Sequence, residues 1–423
     1  MHCSFLRASV MACCLFASSA VDAADAPNSP LTLKAAIQRG LVQHPDLSGF
    51  VFDLRAQDAR ITEAQLSPQP EVDFLLEDAA GTGRRSGLDT AQSTLSLSQV
   101  IELGGKREGR IAVAEAMGSR LKSEHAARQL DVVAEIARRF IQTLRQQAQL
   151  DLTREGLSIV ERMQSAVGQR VRAAKSPEAE LARTDAALAR AKLDVEDAQH
   201  QLESSRRWLA ASMGEKQVQF GPSAGELLTL PPVQSFDLLM WKLQNAPDFL
   251  RFADEARLRD SEIRLAEMRR RPDVRASIGV RRFEDEGDYA VVAGVNVPLF
   301  SRSRAQPQID AAHASRARVN NMRDLAFLKA QAQLFEVYQE LEHARHEAAT
   351  LRADILPRLT LALQQTEYAY ERGRYSYLEW TDAQRELLEA RQRLIEAAFE
   401  FHTFRIEIER LTGEGVVPSG EEL

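Results

Sequence analysis

The sequence predicts a mainly α-helical chain with a small β part, written as two internal repeats of about 200 residues. Three observations point there. Aromatic residues are scarce at 6% while 27% of residues are charged, and Ala, Leu, Glu, Gln and Arg dominate, the composition of long helices. Two stretches carry the same heptad ladder: Leu181, Leu188, Val195, Leu202 and Leu209, then Trp380, Leu387, Leu394, Phe401 and Ile408. Small residues sit three places on, at Thr184, Ala191, Ala198 and Ser205 in the first and Ala383, Ala390 and Ala397 in the second. Such a seam argues for helices that supercoil closely against neighbours. Finally, the text recurs in register. His44-Pro45-Asp46-Leu47 returns as Ala246-Pro247-Asp248-Phe249, Pro70-Glu71-Val72 as Pro272-Asp273-Val274, and Met213-Gly214 as Thr412-Gly413.

The 423 residues are enough for one large or two ordinary domains. The formal net charge of −7 gives no support for a nucleic-acid partner, which would show as a clustered basic face.

Met1–Ala23 reads as a secretory signal: His2 and Arg7, an apolar core from Val10 to Phe16, and a small-residue cleavage pattern at Val21-Asp22-Ala23. Cys3, Cys13 and Cys14 all fall inside it, so the mature chain should hold no cysteine. Acylation at Cys13 is the alternative, against which the apolar stretch before it is short. No later stretch reaches the ~18 apolar residues of a spanning helix.

The first repeat covers residues 24–214. It opens with a helical pattern over Leu31–Leu66, broken at His44-Pro45-Asp46 and stopped at Ser67-Pro68-Gln69-Pro70. A β-hairpin follows over 71–101, alternating Val72, Phe74 and Leu76 on one strand and Leu95, Leu97 and Gln99 on the other. Next come a long helix over 107–175 and a shorter one over 177–213. Residues 215–235 read as a linker. The second repeat, 236–413, has a leading helix, a hairpin over 273–299, a long helix over 304–374 and a last helix over 377–412; residues 414–423 form a tail. Each long helix is roughly 100 Å at 1.5 Å per residue, matched by two shorter ones end to end. Four period-2 strands near the length of a tilted membrane crossing cannot shield their own edges in lipid, so a spanning reading requires several copies; a small soluble sheet is the alternative.

Ser98-Gln99-Val100-Ile101-Glu102-Leu103-Gly104-Gly105-Lys106-Arg107 and Val297-Pro298-Leu299-Phe300-Ser301-Arg302-Ser303-Arg304 resemble the strand-to-helix junctions of the TolC-like outer-membrane efflux proteins. Tyr370-Glu371-Arg372-Gly373 with Thr381-Asp382-Ala383-Gln384-Arg385 is similar to that family's second periplasmic turn, and Glu409-Arg410-Leu411-Thr412-Gly413 to its ending. The resemblance spans Leu31 to Gly413. It implies a homotrimer in which a long coiled-coil α-helical barrel continues a transmembrane β-barrel of four strands per subunit. It further implies an outer-membrane location in a Gram-negative bacterium with a long periplasmic extension, contact with outer-membrane lipid, a periplasmic adaptor (membrane fusion protein), and an inner-membrane pump of the RND type. The junction at Ile101–Arg107 looks most like the branch serving cobalt–zinc–cadmium exporters, so divalent cations are the expected cargo. Drugs or type I secreted polypeptides are the alternative cargoes, and a periplasmic coiled-coil adaptor is the alternative class.

The same resemblance places two acidic residues of a periplasmic gate on Glu379 and Asp382. The arginine that precedes them in the family is replaced by Tyr375, with Arg374 one place earlier. Rings of carboxylates in a pore attract cations. Ser376 with Glu379 three residues on is equally a capping box, and Ser176-Pro177-Glu178 an N-cap, an early proline and an early acid. Arg170, Arg172, Ser176, Arg372 and Ser376 near the two turns are candidate adaptor-docking residues; solvated surface charge is the competing reading.

No catalytic constellation emerges, and no cofactor or metal is expected, so the chain does not read as an enzyme. His343 and His346 beside Glu342 and Glu347 have metal-ligand spacing on a helix, but the pattern fits a solvated face better. Gly81-Thr82-Gly83 lacks the following helix that a phosphate loop needs.

Overall fold

The computed structural model describes residues 29–414. The expected signal with its three cysteines, and the tail beyond Glu414, lie outside the described residues.

The described residues open with a two-residue strand, β1 (Leu31–Thr32), and the Thr32 hydroxyl caps α1 (Leu33–Gln43) by accepting from the Ala35 amide at 3.2 Å. Proline at the first helical position starts α2 (Pro45–Ser48), and α3 (Phe50–Gln65) follows. Then come β2 (Glu71–Glu77), β3 (Gln92–Ile101), α4 (Lys106–Arg172) and α5 (Glu178–Ser212). A short β4 (Ser223–Ala224) precedes α6 (Phe236–Gln244), α7 (Pro247–Met268), β5 (Val274–Phe283) and β6 (Tyr289–Asn296). The described residues end with α8 (Ser301–Thr350), α9 (Leu356–Glu371) and α10 (Tyr377–Thr412).

Three sequence expectations need revision. The second long helix is not uniform: a π turn at Leu351–Ile355 separates α8 from α9, immediately before Leu356-Pro357. Proline has no N–H and its ring crowds the carbonyl four residues back, and the wider turn gives that carbonyl room. Residues 215–235 are not a free linker, since β4 pairs in parallel with β1 and Phe220 and Leu227 are buried in the main core. Two strands are also shorter than the ~9–11 residues of a tilted crossing: β2 has seven residues and β6 eight.

The half-length helices do stack. Gly214 ends α5 at φ 84°, and a Cβ there would lie 2.6 Å from the Gln43 carbonyl oxygen, so the end of α5 abuts the corner between α1 and α2. Gly413 ends α10 at φ 72° in the same way, against the ring of Pro247. Only glycine tolerates both the left-handed backbone and the approach. Across the wall, α5 packs on α4, α4 on α10, and α10 on α8 and α9. The main core joins Ile37, Ile136, Phe140, Leu209 and Ile406, each fully buried; burying such a side chain contributes about 1.5–3 kcal/mol. The ladders differ in environment. In α10 all five large residues are buried, whereas in α5 the small Thr184, Ala198 and Ser205 are buried and Leu181, Leu188, Val195 and Leu202 only half-buried.

One antiparallel sheet in the order β2-β3-β5-β6 sits at the other end of α4. Register aligns Phe74, Leu95, Val280 and Val291 in one row and Val72, Leu97, Ile278 and Ala293 in the next. These rows share one face, and their large members are all exposed. The opposite face is mainly polar: Asp73, Thr94, Ser96, Ser98 and Arg281 lie there with Leu75 and Val292 between them, and Arg281 donates to Glu77 at 2.7 Å and Thr94 at 2.9 Å.

Candidate functional site at the helical tip

The α4–α5 and α9–α10 turns come together about 100 Å from the sheet, given the 67-residue length of α4. Both end their first helix by the same pattern. Lys175 N–H donates to the Arg170 carbonyl at 2.8 Å and Ala174 N–H to Val171 at 2.9 Å; Arg374 donates to Ala369 and Gly373 to Tyr370, each at 2.9 Å. The left-handed position is Gly373 (φ 70°) in the second turn but Ala174 (φ 53°) in the first, where a side chain is strained.

Beneath the turns lies a small apolar cluster of Ile159, Met163, Val167, Tyr370, Tyr377 and Trp380. Tyr370 and Trp380 stack obliquely at 4.9 Å between ring centres. Tyr370 donates its hydroxyl to Glu180 at 3.3 Å; burial, reinforced by that carboxylate, pushes its phenol pKa up and keeps the proton in place.

Arg170 joins the turns. It donates to the carbonyls of Tyr370 at 2.8 Å and Glu371 at 3.3 Å, to the Ser176 hydroxyl at 3.1 Å, and lies 4.8 Å over the Tyr370 ring. Of the other residues expected at the tip, Arg172 and Arg374 are exposed, Arg372 stacks 3.4 Å from the Tyr368 ring centre, and Tyr375 is about half exposed. Ser376 and Glu379 form a complete capping box: Ser376 N–H donates to the Glu379 carboxylate at 2.6 Å, and Glu379 N–H to the Ser376 hydroxyl at 3.4 Å. Asp382, one turn deeper, accepts from Arg385 at 3.1 Å and stays half exposed. Sequence reasoning did not single out Tyr370, Glu180 or Tyr368 individually; the first lay within the quoted Tyr370–Gly373 motif, and the other two gave no signal.

Just above the tip, a groove of about 700 Å³ runs over α4 between α5 and α10, with Arg190, Asp194, Arg385 and Glu389 on its sides. His343 lies 3.9 Å from Glu347, whose carboxylate is held by Arg393 at 2.5 and 2.6 Å. Among the described residues no group of three or more His, Cys, Asp or Glu has metal-binding proximity, and no helix is long and apolar enough to cross a membrane.

A family model described as "Outer membrane efflux protein" matches residues 36–215 and again 239–414. The cobalt-zinc-cadmium resistance protein CzcC of Cupriavidus metallidurans is 28% identical over 386 residues, covering 91% of this chain and 90% of that protein. The nickel-cobalt-cadmium resistance protein NccC of Alcaligenes xylosoxydans is 26% identical over 315 residues, or 73% and 70% of the two chains. Among solved structures, CusC superposes with a TM-score of 0.72 over 90% of this chain and 92% of its own, at 17% identity. VceC of Vibrio cholerae superposes at 0.70 over 91% and 97%, also at 17% identity.

Proposed function

The chain belongs to the outer membrane efflux protein family, and on that premise we propose that it is the outer-membrane channel of a tripartite system exporting divalent heavy-metal cations such as cobalt, zinc and cadmium. In this reading three copies each contribute four strands to a closed barrel and their helices to a periplasmic tunnel. Each chain is a duplicated unit, 24–214 and 236–413. The observation that carries the channel is the sheet: one face exposes two adjacent apolar rows, while the other is mainly polar and charged, with Leu75 and Val292 among Asp73, Thr94, Ser96 and Arg281. An apolar exterior and polar interior suit a strand wall between lipid and water, and a wall of four strands closes only with copies. The metal cargo is supported by the names of CzcC and NccC and by the coverage of the match to CzcC.

The tunnel supplies no energy and no catalytic step, so an inner-membrane RND-type pump and a periplasmic adaptor complete the path. The adaptor docks at the tip, on Arg172, Arg372 and the groove above them, while Arg170, Ser176 and Ser376 hold the turns to which it binds. Glu379 and Asp382 narrow the closed entrance as carboxylate rings, with Arg374 and Tyr375 at its lip. Growth of a strain lacking the protein on graded zinc, cobalt and cadmium, beside copper, silver, dyes and detergents, tests the cargo. Sensitivity confined to the first three supports divalent metals, and broad sensitivity to dyes and detergents rejects them.

A further inference from the structure

The sheet's apolar rows end at the second strand-to-helix junction, where Leu299 and Phe300 are 72% and 77% exposed. Phe300 is the residue before α8 and holds φ 64°, a left-handed conformation that is costly for a bulky side chain. The first junction places Gly105 at the matching point, with φ 77°. Keeping phenylalanine where glycine is the relaxed choice suggests that the ring itself is used.

Four arginines are distributed around the start of the helix that Phe300 precedes. Arg269 and Arg270 follow α7 and donate to Gln308 at 2.9 Å and Gln306 at 3.1 Å, which brings them against the start of α8. Arg302 and Arg304 lie in that helix's first turn, which contains no acid. The junction's carboxylates are engaged elsewhere: Asp273 with Lys106 at 2.6 Å, Glu102 with Arg110 and Glu71 with Arg275. Glu108 and Glu267 are exposed on neighbouring turns. The four arginines have no ion pair among the described residues, and the Nε of Arg270 is enclosed without a hydrogen-bond partner. Cations set directly below an apolar belt match the level at which lipid phosphates lie under acyl chains.

We propose that Arg269, Arg270, Arg302 and Arg304 bind the phosphates of anionic phospholipid in the periplasm-facing leaflet, with Phe300 seated among the acyl chains beside them. The proposal rests on the outer-membrane reading above, with the sheet's apolar rows facing lipid. Phosphatidylglycerol carries the net negative charge and the acyl chains that this surface accommodates together.

The test extracts the full-length protein from the outer membrane in neutral detergent. It measures retained phosphatidylglycerol and phosphatidylethanolamine per chain, for wild type and for R269Q/R270Q/R302Q/R304Q. Each arginine near an anionic surface is worth roughly fivefold in affinity, so retention of phosphatidylglycerol should fall by about tenfold or more while phosphatidylethanolamine changes little. Phe300→Gly should lower retention with the arginines intact. Unchanged phosphatidylglycerol in the quadruple variant overturns the proposal. Displacement of the lipid by millimolar inorganic phosphate also overturns it, since a free anion site would then suffice. So does loss of the oligomer with lipid per chain preserved, which would assign the arginines to contact between copies. Absence of the wild-type chain from the outer membrane would overturn both this proposal and the channel reading; its presence separates them.

Discussion

Arg170 and Tyr370 stand 200 residues apart in sequence, yet the guanidinium of the first donates to the main-chain carbonyl of the second at 2.8 Å. This contact ties the α4–α5 turn to the α9–α10 turn at the end of the helical bundle. Charged-donor hydrogen bonds of this kind contribute about 1.5–3 kcal/mol. Arg170→Ala should therefore loosen the tip, raising single-channel conductance in planar bilayers with only modest loss of global stability. Unchanged conductance would make the bond a packing feature alone. Tyr370→Phe, which removes the contact with Glu180 but leaves the carbonyl, should have the smaller effect.

Capping and gating by Glu379 separate cleanly by substitution. Glutamine preserves a capping box, so Glu379→Gln should cost little stability while weakening block by divalent cations; Glu379→Ala should cost about 1 kcal/mol as well. Asp382 has no capping contact, and Asp382→Ala should weaken divalent block or raise conductance without that stability loss. Bilayer recordings paired with denaturant unfolding distinguish the two. Unchanged block in both Glu379→Gln and Asp382→Ala would remove the carboxylate gate.

Ala174 and Gly373 hold the same left-handed position in the two turns. Ala174→Gly should stabilise the protein by about 0.5–1 kcal/mol, because strain at the turn is relieved at some entropic cost. Gly373→Ala should destabilise by about 1 kcal/mol, and since the nearest atom to its added carbon is an Arg170 nitrogen at 3.6 Å, the cause would be backbone strain rather than a clash. Thermal unfolding in detergent reads both.

Burial pushes the Glu409 carboxyl up to about 7, with Glu414 adding to the shift and Arg405 opposing it. The contact with Arg405 is 3.5 Å long, too loose to repay the lost hydration. An unfolded glutamate titrates near 4.3. Between these values the unfolded chain releases its proton first, so stability attributable to this group falls as pH rises from about 4.5 to 7 and stays low above. Glu409→Gln should match wild type near pH 4 and exceed it by about 3–4 kcal/mol at pH 8, measured by denaturant unfolding. A difference independent of pH would reject the assignment.

The two faces of the sheet should tolerate charge differently. Val280→Lys, in an exposed apolar row, should cost about 2–4 kcal/mol of membrane-inserted stability. Ser96→Lys, on the polar face, should cost little. Equal yields of detergent-extracted oligomer from both variants would argue that neither face meets lipid.

Much of the helical design was legible locally. Prolines at 45, 70, 247 and 272, glycines at 214 and 413, and a seven-residue spacing of Leu and Phe each act on their own few residues, so element order could be read from spacing alone. The alternation of Val72, Phe74, Leu95 and Leu97 likewise exposes which side chains share a face. The same local logic found Ser376 and Glu379, whose capping box joins residues only three positions apart.

What the sequence determined by itself was therefore the kind and order of elements, because helix capping, proline exclusion and side-chain period are short-range effects. The tertiary structure alone decided which distant groups meet. It placed Arg170 against Tyr370, drew Phe220 and Leu227 of the supposed linker into the core, and set the π turn ahead of Pro357. These outcomes depend on how helices of about 100 Å lie side by side, and a chain read one turn at a time contains no record of that register.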